Sequence, residues 1–115
     1  MLEFIEFPVF TRRLHVLAEE HADKVLLTIQ NDLIQNPTRG KVVQGTAGVR
    51  KSRAADPTRG KGKRGGSRYL YYYIERDGQI FLLFIFDKNE QGDLTKEQRK
   101  TLAAQIRELK ETPNE

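Results

Sequence analysis

The chain's hydrophobic pattern divides it into short segments with two different periods. Residues 79–86, QIFLLFIF, form the most apolar run and show no alternation. A strand that is apolar on both faces needs cover on both faces. Residues 67–76, SRYLYYYIER, read as a strand because aromatic side chains and Ile dominate. Asp77-Gly78 between the two runs is a hairpin signal, so they are predicted to pair antiparallel at the centre of a sheet. At the N-terminus, LEFIEF at 2–7 reads as a first strand ended by Pro8. Pro8 can open a helix, where its missing N–H is no loss. Val9, Phe10, Leu14, Leu17 and Ala18 then recur at roughly helical spacing. A second helix is predicted between Ala22 and Gln35, with Val25, Leu26, Ile29 and Leu33 on one stripe and Asn36-Pro37 as its stop.

Val42-Val43 start a short extended segment that breaks at Gly45, and Val49–Ala55 is a further candidate strand. Side chains alternate along a strand, so Lys51 and Arg53 share a face there and Arg50 projects from the other. After DKNEQGD, a last helix is predicted to run to about Lys110. Thr95 and Gln98 supply a capping box, and Leu102, Ile106 and Leu109 an apolar stripe. The order implies one α+β domain over residues 1–115. Two N-terminal helices and a C-terminal helix pack on one face of an antiparallel sheet of three to five strands. The two-faced run 79–86 further demands cover on its second side, from the C-terminal helix or from a partner protein.

Charge changes this picture most. The chain of 115 residues carries a net +4. The stretch from Arg39 to Arg68 holds ten of the twenty Lys and Arg residues and a single acid, Asp56, a local charge of +9. The rest of the chain therefore sums to −5. Basicity concentrated in this way is a polyanion-binding footprint. PTRGK occurs twice, at 37–41 and 57–61; without matching flanks or a third copy this reads as two similar loops rather than a solenoid.

Other classes recede. No run approaches the ~20 apolar residues of a membrane span. The acidic start MLEFIEFPVF lacks the basic n-region of a signal peptide. Absence of cysteine excludes disulfides, thiolate catalysis and Cys-ligated metal, and is compatible with a reducing cytoplasm. His15 and His21 lack further strong ligands nearby and read as helix-surface residues, so neither metal nor cofactor is expected.

Three segments in this order resemble the RelE/ParE superfamily of bacterial toxins from type II toxin–antitoxin systems, and within it the HigB branch. They are QGTAGVRKSR at 44–53, GKGKRGGSRYLYYYI at 60–74 and DKNEQGDLT at 87–95. With the matching element order, the likeness spans nearly the whole chain. It implies a RelE-like fold and a metal-independent endoribonuclease that cuts mRNA in the ribosomal decoding site. The partners it implies are the ribosome, mRNA and a cognate antitoxin, expected to be a helix-turn-helix protein. ParE-like proteins share the fold but target DNA gyrase; the strand-borne cations here are closer to the RNase branch.

In the reaction the resemblance implies, the ribose 2′-OH attacks the adjacent phosphate, giving a cyclic phosphate and a free 5′-OH. A base, cations for the phosphorane and an acid are needed. With no histidine near the cationic stretch, Lys, Glu or Tyr must supply acid–base work. By resemblance, Lys51 and Arg53 fall on the paired basic positions of one family strand, and Arg68 on the arginine that begins the next. Lys88 follows the third strand, where the family often has a further basic residue. Asn89 stands where RelE has another arginine, which leaves Lys88, Glu90 or a tyrosine for the acid; Lys88 is the preferred candidate. Lys61, Lys63, Arg64 and Arg50 are assigned to RNA and ribosome contact. The tyrosines at 69 and 71–73 read mostly as packing residues, with one free to stack on a base. A non-catalytic nucleic-acid or ribosome-binding module would fit the basic stretch equally well.

Overall fold

The computed structural model describes residues 1–55, 66–90 and 94–111. Strand β1 (Glu3–Glu6) leads directly into helix α1 (Pro8–Ala18), with Pro8 in its first turn. A short 3₁₀ turn at Glu19–His21 joins α1 to α2 (Ala22–Gln35). Strands β2 (Lys41–Val42), β3 (Arg50–Ala54), β4 (Ser67–Ile74) and β5 (Gln79–Asp87) follow, then α3 (Lys96–Glu111). The five strands form one sheet in the order β1-β5-β4-β3-β2.

As the aromatic and apolar runs imply, β4 and β5 pair antiparallel, with β4 in the centre of the sheet. The turn between them is longer than the Asp-Gly dipeptide indicates. Residues Glu75–Asp77 are a 3₁₀ turn rather than the end of the strand, closed by Gly78 N–H donating to Glu75 O at 3.2 Å. The sheet itself is mixed, not antiparallel. β1 lies parallel to β5, from Glu3 opposite Gln79 to Glu6 opposite Leu82. A tight turn forces antiparallel pairing, but β1 and β5 are separated by most of the chain, and so long a connection permits a parallel neighbour.

Helices cover both faces, not one. Phe10, Leu14 and Ala18 of α1 and Val25, Ile29 and Leu33 of α2 meet Tyr69, Tyr71, Ile80, Leu82 and Ile85 on the first face. On the second, Ile106 of α3 meets Val49, Leu70, Tyr72, Phe81, Leu83 and Phe86. The unbroken apolar run at β5 thus serves two cores at once. A bulge at Leu70/Tyr71 shifts the β4–β5 register, so that Leu83 and Phe84 both reach the second core.

The capping box forms at the start of α3. Gln98 N–H donates to Thr95 Oγ1 at 3.1 Å and Thr95 N–H donates to Gln98 Oε1 at 2.9 Å. Beyond β1, the edge of β5 is met by Arg13 of α1, whose Nε donates to Ile85 O at 3.2 Å. Among the described residues, no helix is long and apolar enough to cross a membrane.

Candidate nucleic-acid interface

Strand pairing converts the basic stretch into a surface. In the β3–β4 ladder Arg53 stands opposite Arg68, and Lys51 opposite Leu70. In the β2–β3 ladder Lys41 stands opposite Lys51. Leu70 packs in the α3-side core, so Lys51, Arg53, Arg68 and Lys41 all project from that face. Like charges directly opposite each other on a sheet are destabilising. Here two such pairs sit side by side.

Lack of a side chain brings Arg53 and Arg68 together. A Cβ on Gly66 would lie 1.7 Å from Ala54 O, so only glycine lets the start of β4 approach the end of β3 this closely. Arg68 Nη1 donates to Gly66 O at 3.0 Å, which orients its guanidinium at this strand end. Burial, and then the charge of Arg53, lower the Arg68 pKa; Asp87 at the end of β5 opposes them.

The result is a cleft of about 570 Å³ lined by Arg39, Lys41, Lys51, Ser52, Arg53 and Arg68. It opens where β2 ends, beyond the two β3 residues, Arg50 and Lys51, that β2 pairs with. Three of the four proposed catalytic residues, Lys51, Arg53 and Arg68, are brought together in it. Lys88 is not among the lining residues; it lies in the exposed turn that follows β5. Arg50 faces the other side of the sheet and donates from Nη1 to Thr38 O at 3.1 Å and to Gly40 O at 2.7 Å. It holds a loop, a role that its assignment to RNA contact did not foresee. Lys61, Lys63 and Arg64 lie outside the described residues.

Arg39, Lys41 and Ser52 were missed as site residues. For Arg39 and Lys41 the signal was present in the first PTRGK copy, but only the β2–β3 register reveals that this copy borders the cleft; Ser52 lies in β3 between Lys51 and Arg53. An Asx turn begins the loop: Asn36 Oδ1 accepts from Thr38 N–H and Thr38 Oγ1, both at 3.2 Å. Tyr71 then clamps it. The hydroxyl donates to Pro37 O at 2.9 Å and accepts from Gly40 N–H at 3.0 Å. A Cβ at Gly40 would lie 2.8 Å from Lys51 O, so the loop runs in contact with β3. Arg39 is held by Asp32 of α2, with Nη1 and Oδ2 2.8 Å apart.

The candidates for a general acid fare differently. Glu90 accepts from Arg13 Nη2 and from Asp87 N–H, and these bonds, that of Arg13 first, hold its carboxyl below the usual carboxylate range. A carboxylate so held is a poor proton donor at neutral pH. Tyr69 and Tyr71 are buried, with ring centroids 5.6 Å apart, in the core under α1 and α2. Burial pushes the Tyr69 phenol up to about 12, with Ser52 and Arg39 opposing. Tyr72 is buried on the α3 side and Tyr73 packs against the first core. None of the four lines the cleft. The arrangement can therefore bind and neutralise phosphate with guanidinium and ammonium groups, and offers a lysine amine for proton work; Ser52, paired with Tyr69, turns its side chain to the other face. Among the described residues, no three His, Asp or Glu side chains gather as a metal site. No protein-family model matches the chain.

Proposed function

We propose that this chain is the toxin of a type II toxin–antitoxin pair, a RelE-like, ribosome-dependent endoribonuclease that cleaves translated mRNA. One observation carries the reading: Arg53 and Arg68 face each other across β3 and β4, beside Lys51, in a cleft whose lining side chains, among the described residues, are cationic except for Ser52. A fold has no structural need for like charges converging on one cleft, whereas a polyanion relieves their repulsion. Arg68 presents a planar fork to two phosphate oxygens, which suits the charge that develops on a phosphorane. Lys51 is the base of this proposal, and Lys88, carried by the turn after β5, would have to reach the leaving oxygen from outside the cleft.

That last point supports a second reading, a nucleic-acid or ribosome-binding module without catalysis, because among the described residues that line the cleft only the lysines could serve as the acid. Expression in the absence of an antitoxin separates the two. The enzyme arrests growth, and Arg68→Ala relieves the arrest while the protein stays folded by circular dichroism. A wild-type chain that leaves growth untouched, or an Arg68→Ala variant that is folded and fully toxic, removes the endonuclease reading. Co-expression with the neighbouring reading frame tests the antitoxin: a co-purifying helix-turn-helix protein is the expected result.

A further inference from the structure

The cleft carries more positive charge than one phosphodiester can use. Among the described residues five cationic side chains line it; Asp32 pairs with Arg39, and Asp87 acts on Arg68 from the end of β5. The cations are also spread along the sheet, not clustered at a point. Arg53 and Arg68 form one cross-strand pair, and Lys51 and Lys41 form another two residues along β3. At a strand rise of about 3.3 Å per residue, the two pairs stand roughly 7 Å apart. That is the order of the separation between consecutive phosphates of an extended single strand. Its volume of about 570 Å³ is likewise large enough for nucleotide-sized occupants rather than for one phosphoryl group.

The second pair is built onto a held arm. Loop 36–41 connects α2 to β2, and a solvated connection would need none of the contacts it makes. Tyr71 bonds Pro37 O and Gly40 N–H, Arg50 bonds Thr38 O and Gly40 O, and Asp32 pairs with Arg39. All of these come from the α2 side of the sheet. They fix the arm while leaving Lys41 opposite Lys51 on the cleft side. Loss of side-chain entropy on binding is smaller when the backbone carrying a cation is already fixed.

We propose that the cleft holds two consecutive phosphates of one RNA strand: the reacting phosphate between Arg53 and Arg68, and its neighbour at the Lys41–Lys51 pair, beside Arg39. The 36–41 arm is thus a second phosphate subsite, and Tyr71 is its positioning residue. This assignment rests on the nucleic-acid reading above. The described side chains that line the cleft are cations and Ser52, so they grip the strand by its phosphates.

The test uses two uncleavable 2′-O-methyl oligonucleotides, a dinucleotide with one phosphodiester and a trinucleotide with two, titrated onto the full chain over a range of salt. The trinucleotide binds more tightly, and its log–log salt slope is steeper by about 0.7, the value for one further single-strand phosphate. Lys41→Ala and Tyr71→Phe each weaken the trinucleotide more than the dinucleotide and bring the two slopes together; Arg68→Ala weakens both alike. Equal slopes for the two oligonucleotides on the wild-type protein, or a Lys41→Ala variant that weakens both equally, overturn the second subsite but leave the nucleic-acid reading in place. Binding of neither oligonucleotide overturns both.

Discussion

At the scale of single residues, the same side-chain type does opposite jobs within a few positions. Arg53 and Arg68 are placed against each other at the cleft. Arg50, three residues before Arg53, faces the other way and holds backbone carbonyls. Strand alternation alone makes this division readable, because Arg50 falls on the opposite face from Lys51 and Arg53. What alternation could not supply was the partner of Arg50, which comes from a loop ten residues away. The tyrosines divide in a comparable way between packing and hydrogen bonding. Tyr69 is fully buried, and its phenol ionises at about 12 in the folded protein against 10.0 when exposed. Below pH 10 both folded and unfolded chains keep that proton, and the contribution of Tyr69 to stability is constant. Between pH 10 and 12 the unfolded chain loses a proton that the folded protein retains, so stability falls as pH rises. A shift of this size corresponds to about 3 kcal/mol. Urea unfolding below pH 10 and near pH 12 should therefore show a smaller loss for Tyr69→Phe than for the wild-type protein. An identical loss in both would place the ionising group elsewhere.

At the scale of elements, the long periodic segments were legible and the joints between them were not. The two-faced apolar run at 79–86 signalled a strand with cores on both sides, and that is how β5 is packed. The helical stripes of α1 and α2 and the capping box of α3 were also explicit in residue order. β1 showed its strand character but not its parallel direction, since direction depends on where a strand docks and not on its own residues. The 3₁₀ turn at Glu75–Asp77 was hidden because Glu75 and Arg76 extend the polar end of an aromatic strand without a break. The 36–41 arm is the most consequential of these joints. Its order comes from Tyr71, which is distant in sequence and by itself looks like one more core aromatic. Tyr71→Phe keeps the ring and leaves the buried Gly40 N–H without its acceptor, a change that costs about 1–3 kcal/mol. Thermal unfolding should register it as a lower melting temperature with unchanged far-ultraviolet dichroism. A melting temperature equal to that of the wild-type chain would mean the arm is not held as described.

At the scale of the whole molecule, the fold divides labour between faces and edges. The apolar side chains of β4 and β5 are shared between two cores, which fixes the centre of the sheet. The cations gather at the other side, where β2 is only two residues long and pairs with only Arg50 and Lys51 of β3. The N-terminal helices stabilise this edge from behind through Asp32 and Arg39 without entering the α3-side face. Repulsion among the cleft cations is tolerated because the sheet that carries them is anchored by hydrophobic burial elsewhere. Removing one of those charges should then harm activity far more than stability. The most direct measurement is cleavage of a defined mRNA on translating ribosomes by purified protein, wild type and Arg68→Ala, with the product ends analysed chemically. The account predicts cuts within the decoding site that leave a cyclic phosphate and a 5′-OH. Arg68→Ala should lower the rate by about 10²–10³, as for other lost donors to developing charge. Its stability should change by no more than about 0.5 kcal/mol. A wild-type protein that leaves ribosome-bound mRNA intact, or a folded Arg68→Ala that cuts at the wild-type rate, would contradict it.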